Sequence, residues 1–457
     1  MIGEVSWDLP NWNRGSRVSS SSPALSSEQQ AVFDLIEGTR EHLFVTGRAG
    51  TGKSTLLNHL SWNTSKTIVI CAPTGVAALN VGGQTIHSLF RLPIGLIADQ
   101  EIEQNDQTKK LLNTIDTLVI DEISMVNADL MDAMDRSLRQ ARQRRHEPFG
   151  GVQVVLFGDP YQLAPVPGHG EERDYIADTY RSFWFFDAKV WQEAPLRVIE
   201  LVQIHRQADN DFRRMLTAVR HGTVDAEIGG RLNAAGERPL PEDGDTIITL
   251  AARNDAVTRI NAAALKKLPG RLLTARAEVT GEFGKSAFPA DDKLELKVGA
   301  QVMFLRNDAA GPDGQRWVNG TIGTVTRIDT NVFVEVDGEI HEVEPAIWEK
   351  YKYSYSALTK QLKRDIVAEF TQFPLRLAWA VTIHKSQGQT YDRAIVDLGP
   401  RAFSPGQTYV ALSRLTSLDG LYLARPLRPS DVIVDPDVVR FMSGRESVGP
   451  DAEPAAD

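Results

Sequence analysis

Apolar residues in this chain come in short unbroken runs set between amphipathic stretches. HLFVTG (42–47), TIVICAPT (67–74), TLVIDEIS (117–124), VQVVLFGD (152–159) and VIELVQIHR (198–206) are nearly continuous in Val, Ile, Leu and Phe. A strand with one wet face alternates apolar and polar residues, whereas a strand covered on both faces need not. The gaps between runs hold crossover helices, so the pattern predicts an α/β fold with a doubly wound parallel sheet. A second group predicts a second sheet of the same kind: TIITLAARN (246–254), WAVTIHKS (379–386), RAIVDLG (393–399), TYVALSR (408–414) and LYLAR (421–425). Residues 294–365 have another texture, alternating, β-branched and broken by Gly, Asn and Asp. That is the grammar of a small antiparallel barrel or sheet, read here as a module inserted into the second α/β unit. The serine run 19–22 and the acidic, aperiodic end of the chain predict flexible termini.

Composition narrows the class. At 457 residues the chain has room for about three structural units. A single cysteine, Cys71, excludes a disulfide framework and a Cys-based zinc site, and points to a reducing compartment. No stretch approaches the ~20 apolar residues of a membrane-spanning helix, so no membrane partner is expected. The start of the chain carries Glu4 and Asp8 and lacks an apolar core, unlike a secretory signal. The expected location is the cytoplasm, on the nucleoid, in a bacterial host. Arg14 and Arg17 leave a mitochondrial or nuclear address open. A net charge of −10 argues against coating nucleic acid through bulk charge, but not against gripping a strand in a local groove.

The strongest motif is GRAGTGKS (47–54), which fits G-x-x-x-x-G-K-[ST] between a strand and a helical stretch. Its backbone N–H groups and the helix N-terminus suit phosphate oxygens, which makes Gly50, Thr51, Gly52, Lys53, Ser54 and Thr55 candidate nucleotide contacts. Lys53 is expected at the β/γ-phosphates, and the Ser54 hydroxyl on Mg²⁺. The strand TLVI ends in Asp121-Glu122. Asp121 is placed to hold the metal, and Glu122 to activate the attacking water. Alone, such a pair is more often a helix N-cap; downstream of a P-loop it favours a hydrolase over a kinase. Gln162, in GDPYQLAPV (158–166), can sense the γ-phosphate, although without context this is a proline-rich turn. No [NT]-K-x-D guanine-reading element is present, which leaves ATP or a base-tolerant nucleotide site.

In their order, these elements resemble superfamily 1 DNA helicases of the 5′-to-3′ class, specifically the Pif-one (petite integration frequency) family, with RecD a more distant relative. The resemblance runs from about residue 25 to 425. LSSEQ (25–29) matches an adenine-reading Q motif, making Gln29 the base contact, and PFGGVQVV (148–155) leads straight into GDPYQL. APTGVAA (72–78), TIHSLF (85–90) and AVTIHKSQGQT (380–390) resemble strand-contacting elements. They imply Pro73, Thr74, Gly75, Thr85, His87, His384, Lys385 and Ser386 as DNA contacts. HRQ (205–207) with RHG (220–222), and YVALSR (409–414), imply Arg206 and Arg414 as arginine fingers. The chain departs from the family at Pro160-Tyr161 and at Ala164.

The resemblance implies two RecA-like P-loop domains in tandem. The first covers 25–206 with a small wedge insertion at about 91–113. The second covers 207–293 and 366–435, interrupted by an SH3-like β module at 294–365. A lead-in (1–24) and an acidic tail (436–457) are expected to lack order. The implied activity is ATP-dependent, 5′-to-3′ DNA unwinding with Mg²⁺, on single-stranded DNA and duplex junctions, by a chain that is a monomer when free. The alternative is a DNA-stimulated ATPase clamp or regulatory subunit without productive unwinding. Two features are read as structural. Arg136, Arg139, Arg142, Arg144 and Arg145 are taken as a solvated helix face, and Trp317 as a core residue.

Overall fold

The computed structural model describes residues 25–443 except 94, 98–101, 166–170, 205, 208, 241–246, 309–315 and 357–360. The expected lead-in, 1–24, lies outside the described residues. The first unit is built on β1 (His42–Gly47), β2 (Ile68–Ala72), β3 (Gln84–Thr85), β4 (Thr117–Ile120), β5 (Gln153–Phe157) and β6 (Leu196–Leu201). They form one parallel sheet in the order β3-β2-β4-β5-β1-β6. Its strands bury both faces. Phe44, Leu118, Ile120 and Leu156 pack toward the helix Ala128–Arg142. Val45, Val119, Val155 and Phe157 face the helices Ser27–Gly38 and Lys53–Asn63. That double cover is why the apolar runs are continuous.

The second parallel sheet has the order Ala380–Thr382, Ile248–Ala251, Ala394–Asp397, Leu421–Leu423. The run expected as a strand at 408–414 is instead the helix Gln407–Leu412, with every residue buried. A short, wholly buried apolar run carries no period that separates strand from helix. Here Gly406 sets the helix start with φ +74°.

The inserted region is antiparallel, as expected, but wider than expected. Gln301–Phe304, Ile322–Ile328, Val332–Val336, Glu339–Val343 and Leu375–Leu377 make a five-stranded sheet. A long hairpin, Ala346–Ser356 with Gln361–Gln372, adds Glu278–Gly281 at its edge. The expected boundary at 365/366 therefore falls inside a strand, because a hairpin ladder continues until its partner ends. Leu273–Arg276 and Glu278–Gly281, expected in the second core, pair with strands of the insertion instead. One strand of the hairpin leans on the helix Asp106–Thr114, and Gln84 Nε2 donates to Tyr351 O at 2.8 Å. The segment expected as a wedge buries Leu92, Ile97, Ile102, Leu111 and Leu112 in the first unit.

Two further expectations are corrected. The arginine run is only in part a solvated face: Arg144 and Arg145 are exposed, whereas Arg136, Arg139 and Arg142 are half-buried beside buried acidic residues of the helix Ala128–Arg142. Asp129 accepts from Ile97 N, Asp132 from Lys189 N and Val190 N, and Asp135 from Phe149 N. Arg142 donates to the carbonyls of Leu112, Asn113, Ile115 and Gly150, and Arg139 pairs with Asp135 and Glu193. Those charges fasten connecting segments to the helix.

The second correction concerns the tail. Residues Pro436–Ser443 form a helix that returns to the first unit. Phe441 stacks on Phe186 at 4.1 Å, Arg440 pairs with Asp187 at 2.6 Å, and Trp184 Nε1 donates to Asp435 at 3.0 Å. The remainder of the tail, 444–457, lies outside the described residues. Phe441→Ala should cost the first unit about 3 kcal/mol, read as a lower denaturant midpoint for that unit. An unchanged midpoint would mean the helix contributes nothing to its stability.

Candidate nucleotide and strand site

The loop after β1 is shaped by Gly47, Gly50 and Gly52, with φ of +152°, +87° and +79°. Only glycine adopts such values without strain. Gly52 caps the helix Lys53–Asn63, so Lys53, Ser54 and Thr55 lie in its first turn. Lys53 Nζ folds back over the loop and donates to Gly47 O at 2.6 Å and Arg48 O at 3.1 Å. Thr51 is buried, and its hydroxyl donates to Arg48 O. Gln29 abuts the loop, its Nε2 donating to Gly52 O at 3.1 Å. Its Oε1 accepts from Ser26 N, so both ends of the amide are engaged within the first unit.

β4 leads directly into Asp121 and Glu122. Glu122 sits in the left-handed region at φ +50°, ψ +44°, an uncommon state for a residue with a side chain and one that concentrates at functional sites. Burial and the Glu122 carboxylate push Asp121 up to about 7. Burial also raises Glu122, against the pull of Lys53 and Arg414. Gln162, nearly buried, accepts from Gln387 Nε2 of the second unit at 3.4 Å.

Both arginines from beyond the first sheet face this crevice. Arg206 lies against the phosphate loop: a Cβ on Gly50 would sit 2.6 Å from Arg206 Cβ. Its guanidinium reaches Ser413 O at 3.2 Å and Gly388 O at 3.4 Å. Arg414 is buried and donates to Val410 O, Ser413 Oγ and Gln389 O. Burial and Arg414 lower Arg206 to about 10, and burial lowers both Arg414 and Lys53. Among the described residues none of the three makes an ion pair; their hydrogen bonds end on carbonyl and hydroxyl oxygens. Three cations thus converge with neutral first neighbours, an arrangement completed by a multiply charged anion.

A second set of groups was not assigned roles from the sequence. Arg220, buried, pairs with Asp159 and with Glu200, each at 3.1 Å, and its guanidinium lies 4.3 Å over the Tyr161 ring. Tyr409 hydrogen-bonds both Ala49 of the phosphate loop and Asp159. The available signal was chemical: polar and charged residues embedded in otherwise apolar elements.

The candidate strand contacts divide between the units. Thr74 and Thr85 cap short helices, their hydroxyls accepting from Ala77 N and Ser88 N. Pro73, Gly75 and His87 are half-buried, with Gly75 close against Ala287. On the second unit His384 is half-buried and Lys385 exposed. Lys385 is lowered first by Arg376, and both cations are opposed by one carboxylate, Asp291, which lies 3.8 Å from Arg376. Ser386 is fully buried with its hydroxyl on Ile383 O, and presents no surface to a strand. Trp317 is a core residue as expected, stacked on Phe304 at 4.4 Å.

The PIF1-like helicase family model matches residues 24–229. The ATP-dependent DNA helicase Pif1 of Bdellovibrio bacteriovorus is 36% identical over 429 residues, covering 91% of each chain. This chain belongs to the PIF1-like helicase family. The crystal structure of Bacteroides sp Pif1 in complex with ADP-AlF4 superposes with a TM-score of 0.85 at 35% identity, covering 92% of this chain and 97% of that one. Bacteroides Pif1 bound to ssDNA gives 0.67 at 36% identity, over 92% and 97% of the two chains. Family membership accounts for the order of motifs, and the crevice geometry for why they are needed together. Gly50→Ala would force a Cβ into Arg206 at a strained φ, and should lower hydrolysis by on the order of 10²-fold. Steady-state ATPase rates check this; activity within twofold of the unaltered chain would show that Arg206 need not approach the loop.

Proposed function

We propose that this chain is an ATP-dependent DNA helicase that moves 5′ to 3′ on single-stranded DNA and opens duplex, with the hydrolysis site shared between two α/β units. The observation that carries this reading is the convergence of Lys53, from the first unit, with Arg206, which follows its last strand, and Arg414, from the second, over one glycine-rich loop. Such a crevice has high affinity for a triphosphate only while the units are together. Hydrolysis and phosphate loss remove the differential contact, so the units part. The relatives support the same reading, since one was solved with ADP-AlF4 and another with ssDNA.

In this reading Lys53 and the loop amides hold the β- and γ-phosphates. Glu122 orients and deprotonates the attacking water, its proton affinity raised by burial as a general base requires. Arg206 and Arg414 stabilise the charge that builds on the transferring group. Gln162, joined to Gln387, reports the γ-phosphate to the second unit. The half-buried Asp121 carboxylate and the Ser54 hydroxyl at the helix start form an all-oxygen set that fits Mg²⁺, so these residues would hold it. When bound, Mg²⁺ neutralises charge on the phosphate oxygens. Gln29 positions the loop from behind through Gly52 O. Strand contacts on both units are required for directed motion. Thr74, Thr85 and His87 serve on the first and His384 and Lys385 on the second.

Lys53→Ala should abolish hydrolysis without unfolding the chain, and Arg414→Ala should lower turnover by roughly 10³–10⁵-fold while nucleotide still binds. An ATPase assay with and without single-stranded DNA, alongside unwinding of 5′-tailed and 3′-tailed duplexes, tests the whole proposal. DNA-stimulated hydrolysis and opening of the 5′-tailed substrate are expected. Preference for the 3′ tail would reverse the assigned direction. DNA-stimulated hydrolysis without strand separation would make the protein a clamp.

A further inference from the structure

The deepest hydrogen bonds across the crevice are made by neither arginine. Tyr409 lies on the helix Gln407–Leu412, five positions before Arg414, and is 3% exposed. Its phenol oxygen accepts from Ala49 N at 3.1 Å and donates to Asp159 Oδ2 at 3.1 Å. Asp159 Oδ1 accepts from Arg220 Nη2 at 3.1 Å, and Arg220 Nη1 donates to Glu200 at 3.1 Å. The chain of contacts therefore runs from the second unit to the phosphate loop, to the end of β5, back to the second unit, and on to β6. Burial and Asp159 hold the phenol well above its ordinary range, so it stays neutral with one hydrogen to give and a lone pair to receive. Both capacities are used. Close approach is enforced nearby, where a Cβ on Gly406 would lie 2.2 Å from Gln162 O.

We propose that Tyr409 is a positioning residue for hydrolysis: its hydroxyl sets the register of the Arg414 helix on the phosphate loop. This rests on the ATPase reading above. The hydroxyl bonds form only when loop, Asp159 and helix are together. They favour the arrangement in which Arg414 reaches the transferring phosphoryl group, and they are lost when the units part. Removing the hydroxyl leaves Ala49 N and Asp159 Oδ2 unpaired in a dry place, a cost relieved by opening to water. The share of molecules with Arg414 in position then falls, although the first unit still binds nucleotide.

The test is Tyr409→Phe, which keeps the ring and deletes only the oxygen. The expected result is a DNA-stimulated kcat lower by about tenfold, with KM for ATP within about twofold. Combined with Arg414→Ala, the same change should lower kcat by less than about twofold further, because Tyr409 acts through Arg414. Placing p-aminophenylalanine at position 409 restores a donor toward Asp159 and should recover most of the lost kcat. It also separates a missing hydrogen bond from a folding defect. A kcat within twofold of the unaltered chain, a loss that multiplies with that of Arg414→Ala, or failure of the amino variant to recover turnover would each overturn the proposal. Hydrolysis by the unaltered chain, and its loss in Lys53→Ala, test the ATPase reading separately.

Discussion

A positive charge drawn away from water has to find a negative one, and the crevice of this protein brings together three cations, Arg414 buried and Lys53 and Arg206 half-buried, whose hydrogen bonds end on neutral oxygens. Lys53, Arg206 and Arg414 are each held below their ordinary proton affinity, and Arg206 and Arg414 also oppose one another. Of the carboxylates that act on them, Asp159 is already engaged by Arg220 and Tyr409, while burial pushes Asp121 and Glu122 toward the protonated form, aided by Glu122 at Asp121 and by Asp159 at Glu122. Neither set satisfies the other. A polyphosphate with its metal ion supplies both missing partners at once, so the charge problem and the nucleotide site are one feature. Because the cations belong to separate units, the energy that binds the nucleotide also holds the units together.

The rest of the fold serves that constraint. Parallel strands direct their C-terminal loops to one edge, which places the phosphate loop, the Asp121–Glu122 pair and the Gly158–Gln162 turn side by side. Glycines sit where the halves touch most closely, at Gly50 against Arg206 and Gly406 against Gln162. The Arg220 pairs with Asp159 and Glu200 are buried ion pairs, whose attraction is largely offset by lost hydration. Such pairs fix register without making separation prohibitive. Beyond the second sheet, the helix Pro436–Ser443 returns to the first unit, so the chain crosses between the units a second time.

Much of this was legible in the residues. The P-loop, the acidic pair after β4 and the two series of apolar runs are short-range signals, each carried by adjacent residues. The run 408–414 failed as a strand because full burial erases periodicity. The limits of the antiparallel insertion were misread because Leu273–Arg276 and Glu278–Gly281 find their partners at 293–296 and 368–371, a long-range pairing that local pattern does not encode. The C-terminal helix was hidden by its acidic flank, and its burial depends on Phe186 and Asp187, some 250 positions away. Ser386 and Gln29 carry the expected side chains, yet tertiary contacts commit the Ser386 hydroxyl and both ends of the Gln29 amide elsewhere. The Tyr409–Asp159–Arg220 chain joins three motif segments that were each visible, but their contact was not.

The most direct test of the shared crevice is a distance between the units. Cys71 is fully buried, with its thiol held protonated, so it leaves introduced cysteines free to be labelled selectively. Spin labels at Asn58→Cys, on the phosphate-loop helix, and Lys266→Cys, on a second-unit helix, both exposed, report the separation by pulsed electron resonance. The account predicts one narrow distribution with Mg²⁺ and an ADP–metal-fluoride mimic of the transition state, and a longer or broader one with ADP alone. An identical distribution in every nucleotide state, in a chain that hydrolyses ATP, would contradict it.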